Sequence, residues 1–293
     1  MTEEISERFE EFDLWATQDA VKAMYEGQLA ALAAIEPALD DITNAADAAA
    51  NALSNNGRLV YIGAGTSGRL AVQDGVELRP TFGWPMERLK FCVAGGMDAL
   101  MVSAEGAEDD EKDGSNQIEK ANVGAGDVVI AVAASGRTPF THSALKRAKQ
   151  LGATTISIAN NPDTPLLLDA HYPILAQTGS ELVAGSTRMK AGTSQKVILN
   201  ILSTAIMRKI GRVYKGYMVD MIISNAKLES RAIDMICSIA NCKSQQAKDA
   251  LTMSDRHIKT AILICMGKTL TESQDILMRS NQSLRKALTL LNR

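Results

Sequence analysis

The chain has 293 residues, 46% hydrophobic but only 4% aromatic, with a formal net charge of −3 at pH 7. That is enough apolar material for one large domain and a smaller one, with a core of Ala, Leu, Ile, Val and Met. The balanced charge and the lack of a basic run exclude an electrostatic case for nucleic acid, and no uncharged apolar run nears the roughly 20 residues of a membrane span.

The N-terminus, MTEEISERFEEFD, is acidic and lacks the basic start and apolar centre of a signal peptide, so a cytoplasmic protein is expected. Residues 16–55 are rich in Ala and Leu. Leu29, Leu32, Ile35 and Leu39 recur at helical spacing, which predicts one or two helices that stop at Asn55, Asn56 and Gly57. Five strand-like runs follow, RLVYIGAG (58–65), LKFCVAGG (89–96), DVVIAVAASG (127–136), ATTISIANN (153–161) and HYPILAQTG (171–179), separated by helical stretches. Alternation of this kind predicts an α/β fold with a mostly parallel five-stranded sheet and helices on both faces. Beyond GSTRMKAGT (185–193) the pattern is helical only: one long helix, then three or four short helices after about residue 220, including a helix start at Thr271 with Glu272 just inside it. The expected organisation is an N-terminal helical segment (1–48), a large α/β domain (49–220) and a small all-helical domain (221–293). Cys92, Cys237, Cys242 and Cys265 form no C-x-x-C pair, and His142, His171 and His257 are scattered. Reduced thiols are expected, with no metal site and no disulfide.

Three loops share a chemistry. GAGTSGR (63–69) and ASGRTP (134–139) each follow a strand and share Ser-Gly-Arg, and GSTRMKAGT (185–193) precedes the long helix. Hydroxyls, small residues and helix N-termini at the mouth of a parallel sheet suit a phosphate. The candidate ligands are Gly65, Thr66, Ser67, Ser135, Gly136, Arg137, Thr138, Ser186, Thr187, Arg188 and Lys190. The first loop satisfies the G-x-G-x-x-G spacing of a dinucleotide site. Such a site wants an acidic residue closing the second strand, and here that strand closes Val93-Ala94-Gly95-Gly96. A monophosphate is the better fit, and no cofactor is expected.

Two acidic positions stand out. Glu77 lies ten residues after Ser67, about 15 Å along a continuous helix. Glu105 and Glu108 lie three apart in SAEGAEDDEKDG, which would put them on one helical face.

From about residue 57 to 228, and more loosely to the end, the chain resembles the N-acetylmuramic acid 6-phosphate etherases. The likeness is carried by GRLVYIGAGTSGRL, the Asp74/Glu77 segment leading into PTFG, AGG followed by EGAEDD, AASGRTPF, LGATTISIANNP, GSTRMKAGTSQKVILN and YMVD. The resemblance implies a SIS-type three-layer α/β/α sandwich with a small helical C-terminal part. It implies cleavage of the C3 lactyl ether of a phosphorylated amino sugar without metal or nucleotide, in a homodimer. It places the catalytic glutamates on Glu77, assigned as the acid, and Glu108, assigned as the second acid/base, and makes Lys259 a further candidate that could reach a site on another subunit. Gly75, Val76, Leu78 and Arg79 around Glu77, Met97 after AGG, and Ala226 before Lys227 depart from the usual pattern. The same loops would serve an aldose–ketose phosphosugar isomerase or a non-catalytic sugar-phosphate sensor; the glutamate pair favours the lyase.

Overall fold

Five short apolar runs form the centre of the computed structural model, which describes residues 1–54, 56–102 and 104–291. Asn55, named above as part of a helix stop, Ser103 of the acidic segment and the last two residues of the expected C-terminal domain lie outside the described residues. The chain divides into two compact units, Met1–Gly75 with Met86–Ala205, and Val76–Pro85 with Ile206–Arg293. The N-terminal segment 1–48 falls inside the first.

Helices α1 (Thr17–Ala33) and α2 (Leu39–Leu53) lead into β1 (Leu59–Gly63). Then come α3 (Gly65–Phe82), β2 (Leu89–Val93), α4 (Glu111–Lys120), β3 (Val128–Val132), α5 (Pro139–Gln150), β4 (Thr154–Ala159), α6 (Pro165–Asp169), β5 (Tyr172–Leu175) and α7 (Lys190–Lys209). All five expected strands are present, trimmed by their flanking turn residues. Every pairing is parallel, in the order β2-β1-β3-β4-β5. The near-continuous apolar runs reflect burial on both sheet faces: β1 and β3 are buried at every residue. Side chains alternate between faces. Val60, Ile62, Val129 and Ala131 pack with Ile118 of α4, Phe140, Ala144 and Leu145 of α5, and Leu166 of α6. On the opposite face Tyr61 meets Asp74 of α3, which is bonded in turn to Asn200 and Ser203 of α7. The first unit is thus a three-layer α/β/α sandwich.

Sheet order reverses between β1 and β3, because β1 leads outward to β2 on one side while β3 continues to β4 and β5 on the other. Ligands of open α/β sheets bind at such a switch point, beyond the carboxyl ends of the strands.

After residue 220 the described residues form five helices where three or four were expected: α8 (Ala226–Ala240), α9 (Ser244–Met253), α10 (Ile258–Cys265), α11 (Leu270–Arg279) and α12 (Leu284–Leu291). Three of the four turns between them are made by non-glycine residues in the left-handed region: Asn241, Asp255 with Arg256, and Asn281 with Gln282. These breaks carry no Gly or Pro, so the sequence pattern hides them. The start of α11 also moves. Thr269 is its N-cap, and Glu272 closes a reciprocal capping box with it, so Thr271 is already helical.

One ion pair ties the amino edge of the sheet together. Asp127 is 5% exposed and accepts hydrogen bonds from the Arg58 guanidinium (2.6 and 3.1 Å), from the Arg58 N–H (2.9 Å) and from the Gly124 N–H (3.0 Å). Burial alone would raise the carboxyl; the bonds and charge of Arg58 outweigh it and hold it below its ordinary value. The stabilisation is therefore present above the usual carboxylate range and is lost as pH falls through the lowered value. Asp127→Asn should cost about 1–3 kcal/mol at pH 7, and its deficit in melting temperature should narrow as the pH is lowered towards 3, read by circular dichroism.

Candidate functional site

β1 ends and α3 begins within two residues. A Cβ on Gly63 would lie 2.8 Å from Gly68 backbone atoms, and one on Gly68 would lie 2.8 Å from the Gly63 carbonyl. Only glycines allow strand and helix to meet so closely. The first turn of α3 therefore opens directly at the switch point, with the backbone N–H groups of Thr66 and Ser67 unused by the helix. β3 delivers α5 to the same place: Thr138 is its N-cap residue without a side-chain cap bond, and Pro139 occupies the first turn.

Between these helix starts lies a cavity of about 440 Å³. Its walls include Gly65, Thr66, Ser67, Ser135, Arg137, Thr138, Thr187 and Glu108. Eight of the expected residues are thus brought together. Gly136, Ser186, Arg188 and Lys190 belong to the same loops but do not line it. Glu77 and Lys259 belong to the other compact unit. The two Ser-Gly-Arg copies part company here. Arg137 faces the cavity, whereas Arg69 donates to the carbonyls of Ala99 (3.0 Å) and Leu100 (2.9 Å), latching the turn after β2.

Glu108 sits on the short turn Ala107–Asp109. It also borders a second chamber of about 250 Å³, lined by Arg69, Glu105 and alanines 64, 94, 99, 104 and 107. Glu105 and Glu108 do not share a helical face: Gly106, at φ +69°, breaks the chain direction between them. The acidic run has two uses. Asp110 caps α4 by accepting the Asp113 N–H at 2.8 Å, and Glu111 and Asp113 lie in its first turn.

The third loop differs from expectation. The N-terminus of α7 is already capped by Glu181, which is fully buried and accepts the N–H groups of Lys190 and Ala191, both at 3.0 Å. That helix end has no vacancy for an anion, and Thr187 alone of the loop's candidates reaches the cavity wall. The Lys190 ammonium donates to the Thr178 carbonyl at 2.7 Å, and burial pushes its pKa down although Glu181 opposes this. Ser67, 7% exposed, gives its hydroxyl proton to Gln195 (2.9 Å), and Gln195 donates onward to Asn160 (2.9 Å), which bonds Ser194 and the Ala176 carbonyl (both 2.8 Å). Ser67 is left to offer the cavity its backbone N–H and oxygen lone pairs.

Sequence reasoning missed Glu181, Gln195, Asn160 and Glu3, which also lines the cavity. The polar residues at the end of β4 and in the first turns of α7 were a signal for the buried network. No local pattern could bring residue 3 to residue 185.

Lys259 is 4% exposed. Its ammonium pairs with Asp220 and donates to the Gln282 carbonyl at 2.6 Å. Burial raises the Asp220 carboxyl and lowers the Lys259 ammonium, each shift opposed by the partner's charge. Glu77 and Glu108 are both exposed in the single chain. Among the described residues no group of three or more His, Cys, Asp and Glu side chains could hold a metal ion.

Two domain families match: the glucokinase regulatory protein N-terminal SIS domain over residues 27–149, and the SIS domain over 108–205. An N-acetylmuramic acid 6-phosphate etherase of Deinococcus radiodurans is 43% identical over 90% of this chain and 86% of its own length. The chain belongs to the N-acetylmuramic acid 6-phosphate etherase family. A Bacillus licheniformis member is 41% identical over 99% of this chain and 95% of its own, and an Erwinia tasmaniensis member 45% over 87% and 84%. Among solved structures, a putative phosphosugar isomerase from Bacteroides fragilis (TM-score 0.52, 21% identity) covers 66% of this chain and 91% of its own. A phosphoheptose isomerase from Francisella tularensis (TM-score 0.51, 18% identity) covers 66% and 100%. These two likenesses are ones of fold.

Because Lys259 is held in a buried pair, Lys259→Met should destabilise the C-terminal helices by about 3 kcal/mol, leaving Asp220 with Arg212 at 3.9 Å. The double variant Lys259→Met/Asp220→Leu should recover much of the loss in chemical denaturation.

Proposed function

We infer that this chain cleaves the D-lactyl ether at C3 of N-acetylmuramic acid 6-phosphate, giving N-acetylglucosamine 6-phosphate and D-lactate. The observation that carries the reading is the 41–45% identity to etherases over nearly the whole chain. The setting is amino-sugar catabolism and recycling of cell-wall sugars.

The chemistry needs a base, an acid and an anchor. In the ring-opened sugar the aldehyde acidifies the C2 proton, and a carboxylate removes it. The C3–O bond breaks as lactate leaves, and because lactate is a poor leaving group a carboxylic acid protonates its oxygen. Water then adds across the C2–C3 double bond, its hydroxyl going to C3 and a proton to C2. The sum is hydrolysis of the ether with no redox change. We assign Glu77 as the acid and Glu108 as the second acid/base. The position of Glu108 on the border of both chambers supports its role: the hydroxyl-lined chamber suits the phosphate and the alanine-lined one suits the remainder of the substrate. The phosphate anchor is proposed to be the first turns of α3 and α5 with Thr66, Ser67, Ser135, Thr138, Arg137 and Thr187.

A sugar-phosphate sensor is the second reading, favoured by the match to the regulatory-protein domain. Both proposed catalytic glutamates being present weighs against it.

A homodimer is proposed as the working form, supported by Val21, Tyr25, Leu29 and Leu32 of α1, which form one helical stripe and are 54, 63, 48 and 44% exposed. The cytoplasm is the proposed compartment, in keeping with four unpaired cysteines.

Purified protein mixed with N-acetylmuramic acid 6-phosphate should release D-lactate; none from folded protein would refute the reading. Glu77→Gln and Glu108→Gln should each lose at least about a hundredfold in turnover while holding N-acetylglucosamine 6-phosphate with unchanged affinity. Val21→Glu with Leu29→Glu should convert a dimer into a monomer in light scattering.

A further inference from the structure

The N-terminal residues carry a role that the chemistry above does not use. Thr2 is fully buried. Its N–H donates to Asn161 Oδ1 at 3.0 Å, and Asn161 Nδ2 returns a bond to Thr2 Oγ1 at 2.8 Å. Asn161 is 4% exposed and follows β4 at the carboxyl edge of the sheet. The next residue, Glu3, stands on the wall of the 440 Å³ cavity with Thr66, Ser135 and Thr187. Its Oε2 comes so near Gly185 that a Cβ there would be 3.0 Å away.

Glu3 is itself exposed, and its buried neighbour Thr2 holds it beside this cavity, where its carboxylate has a definite consequence. It is acceptor-only and repels a second anion. It cannot bind the phosphate itself, so a productive ligand must offer it a donor, and the hydroxyls of a sugar chain are donors. Nor is it a detachable stopper. Pulling the segment out would strip Thr2 and Asn161, both buried, of two mutual hydrogen bonds and leave Asn161 unsatisfied.

We propose that Glu3 is a specificity-determining residue of this site: it accepts a hydrogen bond from a sugar hydroxyl and disfavours a bare anion that brings no donor. The proposal rests on reading the cavity as the substrate site. Sulfate, a dianion without a proton at neutral pH, is the probe for a bare anion, and N-acetylglucosamine 6-phosphate is the probe for an anion that brings hydroxyls.

The experiment compares inhibition of lactate release by the two probes in the native protein, Glu3→Ala and Arg137→Ala. In Glu3→Ala, sulfate should inhibit several-fold more strongly, while the sugar phosphate should bind about tenfold more weakly. Opposite signs are the signature, since general loosening of the site would weaken both. Both probes weakening, both unchanged, or both tightening as a removed stopper would allow, overturns the proposal. Arg137→Ala should weaken both probes; if it weakens neither, the reading of the cavity is at fault rather than the role of Glu3. If Glu3→Ala proves inactive, equilibrium binding of the same probes to Glu3→Gln, with its melting temperature, gives the same comparison: loss of charge tightens sulfate and does not tighten the sugar phosphate.

Discussion

The site depends on how closely β1 and α3 approach. Gly63 and Gly68 leave no room for a side chain between strand end and helix start. The first turn of α3 is therefore fixed at the sheet edge, and its unused N–H groups and positive dipole end face the crevice. β3, the neighbour of β1, repeats the arrangement with α5. Two helix N-termini then converge on one point because the sheet changes direction between these strands. A phosphate monoester is the group that such a convergence holds well.

Behind the loops the structure carries a buried polar network. Ser67, Gln195, Asn160 and Ser194 form a buried chain of hydrogen bonds that links α3, β4 and α7. On the same face Asp74, 5% exposed, accepts from Tyr61 (2.8 Å), Asn200 (2.7 Å) and Ser203 (3.1 Å). Burial raises the Asp74 carboxyl, and these three bonds pull it back. Networks of this kind are costly if one member is lost and rigid when complete. They fix the rotation of the first part of α3, which carries Ser67.

The electrostatics of the cavity follow from that economy. Among the described residues its wall holds one cation, Arg137, beside Glu3, Glu108 and Asp109. Lys190, the other obvious cation, is spent on a backbone carbonyl. A phosphate held there, as proposed, would rest on neutral donors and helix ends rather than on lysines. That leaves the carboxylates of Glu3 and Glu108 free for the proton-transfer and hydroxyl-selecting roles proposed for them.

The amino-acid sequence by itself determined the α/β class, all five strands, and the two loops that open α3 and α5. Apolar runs bounded by Gly and followed by hydroxyls leave little other choice for a chain of this kind. The family resemblance, rather than spacing, singled out Glu108, which the structure puts on the cavity wall. Tertiary structure alone decided the rest. The short helices α8 to α12 are separated mainly by Asn, Asp, Arg and Gln in left-handed conformations, which side-chain periodicity does not register. The Glu105–Glu108 spacing looked helical, and Gly106 overrides it. The N-terminus of α7 looked ready for an anion, and Glu181, nine residues upstream of Lys190, fills it. Glu3 meets Gly185 only because the folded sheet brings the two ends of that span together. Local propensity and spacing are written along the chain, whereas partners held by long-range packing exist only once the layers have closed.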